Sequence, residues 1–145
     1  MEGVIVTKLS QISVDGGDVL HGIKCSDATF FSFGEAYFSF IKKGAIKGWK
    51  KHLTMNMNII VPQGRIRFTI FDDRVGSSTY LEFFSIELSR DNYCRLTVPA
   101  GLWMAFYGVG SNDNLLMNFA DIEHNPKESI RKSLDEIFFD WSIYD

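Results

Sequence analysis

Residues 44–74 read GAIKGWKKHLTMNMNIIVPQGRIRFTIFDDR, and this stretch decides the fold. Two apolar runs of period two, 55–61 and 66–71, flank a Pro62-Gln63-Gly64 turn, the pattern of a β-hairpin. Ahead of them Lys47, Lys50, Lys51 and His52 form a basic edge. On an extended backbone Lys50 and His52, two residues apart, leave one face of the strand, while Trp49 and Lys51 leave the other. One face therefore presents an amine and an imidazole.

The alternation continues outward on both sides. Residues 4–9 predict a short strand, 11–14 its continuation before Asp15-Gly16-Gly17-Asp18 turns the chain, and 19–24 a brief mixed strand. Residues 35–41 set Ala36, Phe38 and Phe40 against Glu35, Tyr37 and Ser39, which predicts another strand. Downstream, 80–88, 95–98, 102–107 and 115–120 read as strands, and 102–107 is apolar enough to be buried on both faces. Turns at 75–79, 89–93 and Pro99-Ala100-Gly101, and a loop at 108–114, separate them. Asn125-Pro126 with Glu128 predicts a short helix to about residue 134, and the aromatic tail 137–144 is expected to pack down. Roughly eight to ten short strands without a helical period predict one all-β domain over residues 1–145, a barrel or a double-sheet jelly roll. A small barrel either fills with side chains or holds one small ligand.

Composition narrows the functions. A net charge of −3 argues against the broad basic surface that nucleic acid requires. Yet Lys42, Lys43, Lys47, Lys50 and Lys51 crowd one stretch, a local field suited to a small anion. No apolar run is long enough to span a membrane, and the acidic N-terminus MEGVIVTKLS lacks the features of a secretory signal. Cys25 and Cys94 lie far apart with no metal-ligand spacing, so they read as reduced, structural thiols in a cytoplasmic protein. No membrane or nucleic-acid partner is expected.

The sequence resembles the cupin superfamily and, within it, the nucleotide-sugar epimerases related to dTDP-4-dehydrorhamnose 3,5-epimerase. The resemblance rests on GAIKGWKKH and the strand after it, the Gln63-Gly64 turn leading to Asp72-Asp73-Arg74, the segment RLTVPAGLW at 95–103, and Asp140-Trp141. It implies a cytoplasmic homodimeric jelly roll that binds a nucleotide diphosphate sugar in its barrel and moves protons beside a sugar ketone. Cupin metal ligands would fall on Lys50, His52, Asn56 and Met104, a set with one good donor, so no metal and no cofactor is expected. The epimerases' histidine base falls on Lys50 and its orienting aspartate on Asp135, while their tyrosine acid and lysine fall on Met117 and Met57. Their diphosphate-binding arginine falls on Lys47, which keeps the charge but not the bidentate geometry.

Enolisation beside a carbonyl needs a base with a pKa near the working pH and a group that holds the developing oxyanion. Lys50 and His52 are the candidates, with Asp135 as orienter. Lys50 is open to three roles: base, enolate clamp or Schiff-base former. Lys47, Trp49, Asn58, Arg67, Trp103 and Asn118 are the candidate substrate-binding residues. For each there is a plainer alternative, since lysines usually reach for water and tryptophans usually fill cores. Of the alternating Met55, Asn56, Met57 and Asn58, spacing does not say which pair faces the interior. The expected function is a metal-free epimerase or ketoisomerase of a nucleotide-linked keto-deoxysugar in cell-surface polysaccharide biosynthesis. The alternative is a non-catalytic nucleotide-sugar-binding homologue.

Overall fold

The apolar runs flanking Gly64 face each other from different sheets. In the computed structural model, which describes residues 1–111 and 113–144, the first run is β6 (Met57–Gln63) and the second β7 (Arg65–Phe71). They do not pair as the predicted hairpin. β6 lies between β9 (Cys94–Val98) and β11 (Asn114–Ala120), whereas β7 lies between β10 (Trp103–Gly108) and β8 (Phe83–Ser89). Gly64 turns the chain from one sheet to the other at φ +78°, and a Cβ there would lie 2.5 Å from Asn114 Oδ1 and 2.7 Å from its Cα. That oxygen accepts the Arg65 amide at 2.8 Å, so the corner leaves room only for glycine.

The first sheet runs β1 (Ile5–Lys8), β9, β6, β11, β4 (Glu35–Ile41); the second runs β12 (Ser129–Arg131), β5 (Ile46–His52), β10, β7, β8. Every pairing is antiparallel. A two-stranded ribbon of β2 (Gln11–Ile12) and β3 (Val19–Leu20) stands apart. The architecture is the double-sheet jelly roll rather than a closed barrel. Period-two alternation puts Met57, Ile59 and Val61 of β6 against Ile66, Phe68 and Ile70 of β7 in a core that Leu88, Leu96, Val98 and Leu116 complete.

A second apolar cluster covers the outer face of the second sheet. Trp49, Trp103, Ala105 and Ile137 are its buried members, with Phe71, Leu134, Phe139 and Trp141 packed around them. The predicted packing of the aromatic tail thus holds, anchored where Trp49 Nε1 donates to the Ile137 carbonyl at 3.1 Å. On the first sheet, buried Arg95 pins the segment before β4 by donating to the Gly22 carbonyl, Asp27 Oδ2 and Thr29 Oγ1 at 2.7–2.9 Å. Asn112, within the predicted 108–114 loop, lies outside the described residues.

The helix predicted from residue 126 to about 134 is a single 3-10 turn, Pro126–Glu128, capped by Asn125 Oδ1, which accepts the Lys127 amide. The chain then leaves as β12 and pairs with β5, Ser129 opposite His52 and Arg131 opposite Lys50. The free edge of β5 offers a ladder of backbone partners that outweighs a short local helix.

Replacing Gly64 with Ala should lower stability by about 2 kcal/mol or more. The expected result in urea denaturation is an earlier midpoint at unchanged m-value; an unchanged midpoint would contradict the assigned corner.

Candidate functional site

Between the sheets, where β4, β5, β6, β10, β11 and β12 meet, lies a cavity of about 180 Å³. Its floor is apolar, with Met57 and Ile59 from β6, Met104 and Phe106 from β10, and Leu116 from β11. Polar groups come from β5 (Lys47, Lys50, His52), β4 (Tyr37, Ser39), β11 (Asn118) and β12 (Arg131). An engineered apolar cavity of about 150 Å³ holds benzene. The space therefore fits one six-membered ring, and anything attached to that ring must lie at the mouth.

Strict alternation along β5 would turn Lys47 away from Lys50 and His52. The register against β10 shows why all three share the cavity. Met104 is opposite Lys50 but Phe106 is opposite Lys47, so β5 carries one extra residue between them. Such a bulge shifts the phase of the strand. Gly48 lies in it at φ +153°, and a Cβ there would meet the Ala105 Cβ at 2.3 Å. Trp49 is thereby sent to the outer cluster while its neighbours on both sides face inward.

His52 is buried at the cavity wall. Its Nδ1 is hydrogen-bonded to Glu128 Oε1, with the histidine 3% and the glutamate 8% exposed. Glu128 Oε2 accepts the Met55 amide at 2.9 Å and the Thr54 amide and hydroxyl at 3.3 Å. Burial works against the Glu128 charge, but the bonds from His52 and from these amides outweigh it and its pKa falls. For His52 burial wins: it holds the imidazole below its ordinary value, the nearby Lys50 charge acts in the same direction, and Glu128 offsets only part. A neutral ring whose Nδ1–H donates to Glu128 keeps its lone pair on Nε2.

Tyr37 and Asn118 are opposite each other in the β4–β11 register, and Asn118 Nδ2 donates to Tyr37 Oη at 3.2 Å. Burial raises the Tyr37 pKa, so the phenol stays protonated at neutral pH. Asn118 Oδ1 is buried with no protein partner, an acceptor ready for a ligand hydroxyl. Lys47 donates to the Phe40 carbonyl at 2.5 Å and to Ser39 Oγ at 3.3 Å, leaving one of its three donors. Lys50 is half-buried, and among the described residues its ammonium has no hydrogen bond and no ion pair. Burial first, then the Arg131 charge, push its pKa down.

The structure brings Lys47, Lys50, His52 and Asn118 together in the cavity and leaves the other sequence candidates outside it. Asp135 is exposed in the turn before the tail and is not among the residues that line the cavity; the carboxylate on the histidine is Glu128. Trp49 and Trp103 belong to the outer cluster, where Trp103 Nε1 donates to Asp73 Oδ2 at 2.8 Å and the ammonium of Lys51, paired with Asp73, lies over its ring. Asn58 faces the outside of the first sheet, donating to the Thr29 carbonyl and accepting from Thr97 Oγ1. On β6 it is Met57 that faces the interior. Arg67 is on the outer face of the second sheet, paired with Glu87 at 2.7 Å. Among the described residues no three of His, Cys, Asp and Glu gather closely enough to hold a metal ion, and no helix is long and apolar enough to cross a membrane.

Sequence reasoning missed Tyr37, Glu128 and Arg131. Tyr37 was marked by sharing a strand face with Ser39. For Glu128 the signal, Asn125-Pro126 with an acid two residues on, pointed to a helix start instead.

Known proteins share this fold. A solved dTDP sugar isomerase from Desulfovibrio desulfuricans superposes with a TM-score of 0.95 at 36% identity, over 99% of this chain and 94% of that one. The probable low-salt glycan biosynthesis epimerase Agl13 of Haloferax volcanii is 30% identical over 112 residues, 74% of this chain and 72% of its own. The spore coat polysaccharide biosynthesis protein SpsL of Bacillus subtilis is 25% identical over 146 residues, 98% and 97% of the two chains. The family model described as dTDP-4-dehydrorhamnose 3,5-epimerase matches residues 22–144, a span that contains all the cavity-lining residues. The jelly roll is thus that of a known group, and the chain belongs to the dTDP-4-dehydrorhamnose 3,5-epimerase family.

Proposed function

We propose that this protein is an epimerase or ketoisomerase of a nucleotide diphosphate-linked keto-deoxysugar, working in the biosynthesis of cell-surface polysaccharide. One observation carries the reading: two proton carriers face one ring-sized space from opposite walls. His52, held by Glu128, belongs to the second sheet, and Tyr37, held by Asn118, to the first. Inversion next to a carbonyl requires a proton to leave one face of the ring and return to the other. His52 Nε2 is the base, and the Tyr37 hydroxyl returns the proton. Lys50 lines the same space and is the group placed to activate the carbonyl for loss of the neighbouring proton.

The ring occupies the cavity and the nucleotide lies outside. Lys47 and Arg131, both exposed and both lining the cavity, flank the mouth where a diphosphate would lie. With no metal needed at the ring, the site's own cations and proton carriers supply the chemistry. The reading includes a cytoplasmic location, with which free Cys25 and Cys94 agree, and a homodimer. The edge strand β4 exposes Phe38 and Phe40 at 63% and 58%, an apolar edge that a second copy would cover. The other reading, a binder without catalysis, has less support, because the His52–Glu128 pair in the cavity is a cost to a protein that only binds.

Incubation with dTDP- or UDP-linked 4-keto-6-deoxy sugars in deuterated water, followed by proton NMR, tests the reaction. Ring protons beside the carbonyl should exchange; binding without exchange for every substrate would leave only the binder. His52→Gln should lower the exchange rate by about 10²- to 10⁴-fold. Tyr37→Phe should keep exchange but lose inversion, since His52 alone would return the deuteron to the face it came from. The acid limb of kcat/KM should fall below the 6.5 of an ordinary imidazole, because burial keeps the active neutral ring populated as pH drops. Glu128→Gln removes influences that raise the His52 pKa, so the limb should move lower still while the rate falls with the weaker base.

A further inference from the structure

Lys50 is the group in the cavity that the arrangement around it leaves unanswered. The neighbouring lysines of its strand have partners: Lys51 is paired with Asp73 and Lys47 donates to Ser39 and the Phe40 carbonyl. Lys50 shares the cavity with Met57, Met104 and Ile59, side chains that solvate an ammonium poorly. Glu128, a carboxylate whose charge reaches it, already accepts His52, Thr54 and Met55. Arg131, directly opposite on β12, adds a like charge. Burial and that charge favour the uncharged amine, the state in which lysine is a nucleophile. An enolate clamp would call for a firmly charged group, and this environment works against one.

We propose that Lys50 carries the sugar covalently, as an iminium formed between its Nζ and the carbonyl carbon of the keto sugar. The inference rests on a keto sugar being the substrate and specifies how the ketone is activated. The Nζ lone pair adds to the carbonyl carbon and the carbonyl oxygen takes a proton, giving a carbinolamine. The hydroxyl takes up a solvent proton, which is given back on hydrolysis, and leaves as water while the nitrogen lone pair forms the C=N⁺ bond. His52 then takes the adjacent ring proton, the C–H electron pair forms a C=C bond, and the C=N⁺ π pair moves onto nitrogen to give an enamine. A proton returned by Tyr37 to the opposite face restores the iminium. Water then hydrolyses it, returning the amine and the epimerised ketone, so the water lost is regained and no other reactant is consumed. A cationic C=N⁺ acidifies the neighbouring C–H more than a hydrogen-bonded ketone does, which suits a cavity with an apolar floor and a buried, modest base.

Incubating the full chain with a dTDP-linked 4-keto-6-deoxy sugar and sodium cyanoborohydride, then measuring intact mass and mapping peptides, tests this. The expected result is a mass gain equal to the sugar nucleotide less one oxygen, located on Lys50. Lys50→Arg keeps a positive charge but cannot form the iminium. Its exchange of ring protons in deuterated water should fall about a hundredfold or more, and it should give no adduct; a clamp would survive the change. Exchange by the wild type with no adduct, or an adduct equally abundant in Lys50→Arg, overturns the iminium and leaves the epimerase reading in place. An adduct on Lys50 without exchange keeps the iminium and overturns the epimerase reading. Absence of both adduct and exchange overturns the two together.

Discussion

The site depends on one extra residue in β5. Where Met104 and Phe106 of β10 are two apart, their partners Lys50 and Lys47 are three apart, and that surplus lets three basic side chains face one cavity while Trp49 turns outward. Without the bulge, a two-residue period would put Lys47 and Trp49 on the same side, and either the cation would leave the mouth or the indole would enter the ring space. Gly48 makes the bulge possible because Ala105 occupies the volume where its Cβ would be. The indole sent outward then meets Trp103 and Ile137 and anchors the C-terminal tail. Site geometry and tail packing are therefore two results of the same local shift in phase.

Glu128 extends this coupling to the last strand. One of its oxygens holds His52 and the other takes the backbone of Thr54 and Met55, so the carboxylate ties the end of β5 to the chain entering β6. Its position two residues after Pro126 places β12 against β5, and β12 in turn delivers Arg131 opposite Lys50. A buried carboxylate stripped of these bonds would be costly. The interaction that orients the imidazole is thus also the one that fixes where the neighbouring cation lies.

Much of the fold was legible because half-buried strands advertise themselves by period two. Residues 35–41 and 66–71 alternate as predicted, and the observed strands follow them closely. The hairpin reading failed because periodicity reports which residues face a core, not which strand lies beside which; both runs face the same core from different sheets. Lys47, Lys50 and His52 were reached by resemblance and by type, whereas Asn118 was one polar strand residue among several with nothing to set it apart. Asn58, Arg67, Trp49 and Trp103 were not distinguishable from core or surface residues, since a polar residue on a strand looks the same whether its face meets a cavity or a covering loop. Glu128 was hidden by a local signal for helix that the free edge of β5 overrode. Asp135, drawn from the resemblance, lies a few residues further along the same segment, where the chain has already left the cavity.

The division of the site between an apolar-floored cavity and a cationic mouth bears on how binding energy would be used. In the proposed reaction, groups at the mouth would touch what is attached to the ring and interact equally before and after the proton moves, raising affinity without raising the rate of the chemical step. Groups within the cavity would meet the atoms whose charge changes, in surroundings where a charge is worth more than in water. A free sugar would lack the first set of contacts and would have to enter an apolar pocket on its own hydroxyls, for which Asn118 Oδ1 is an open acceptor. Linking the sugar to a diphosphate would supply affinity from outside, and leave the interior free to be apolar enough to hold the pKa values of His52 and Lys50 down.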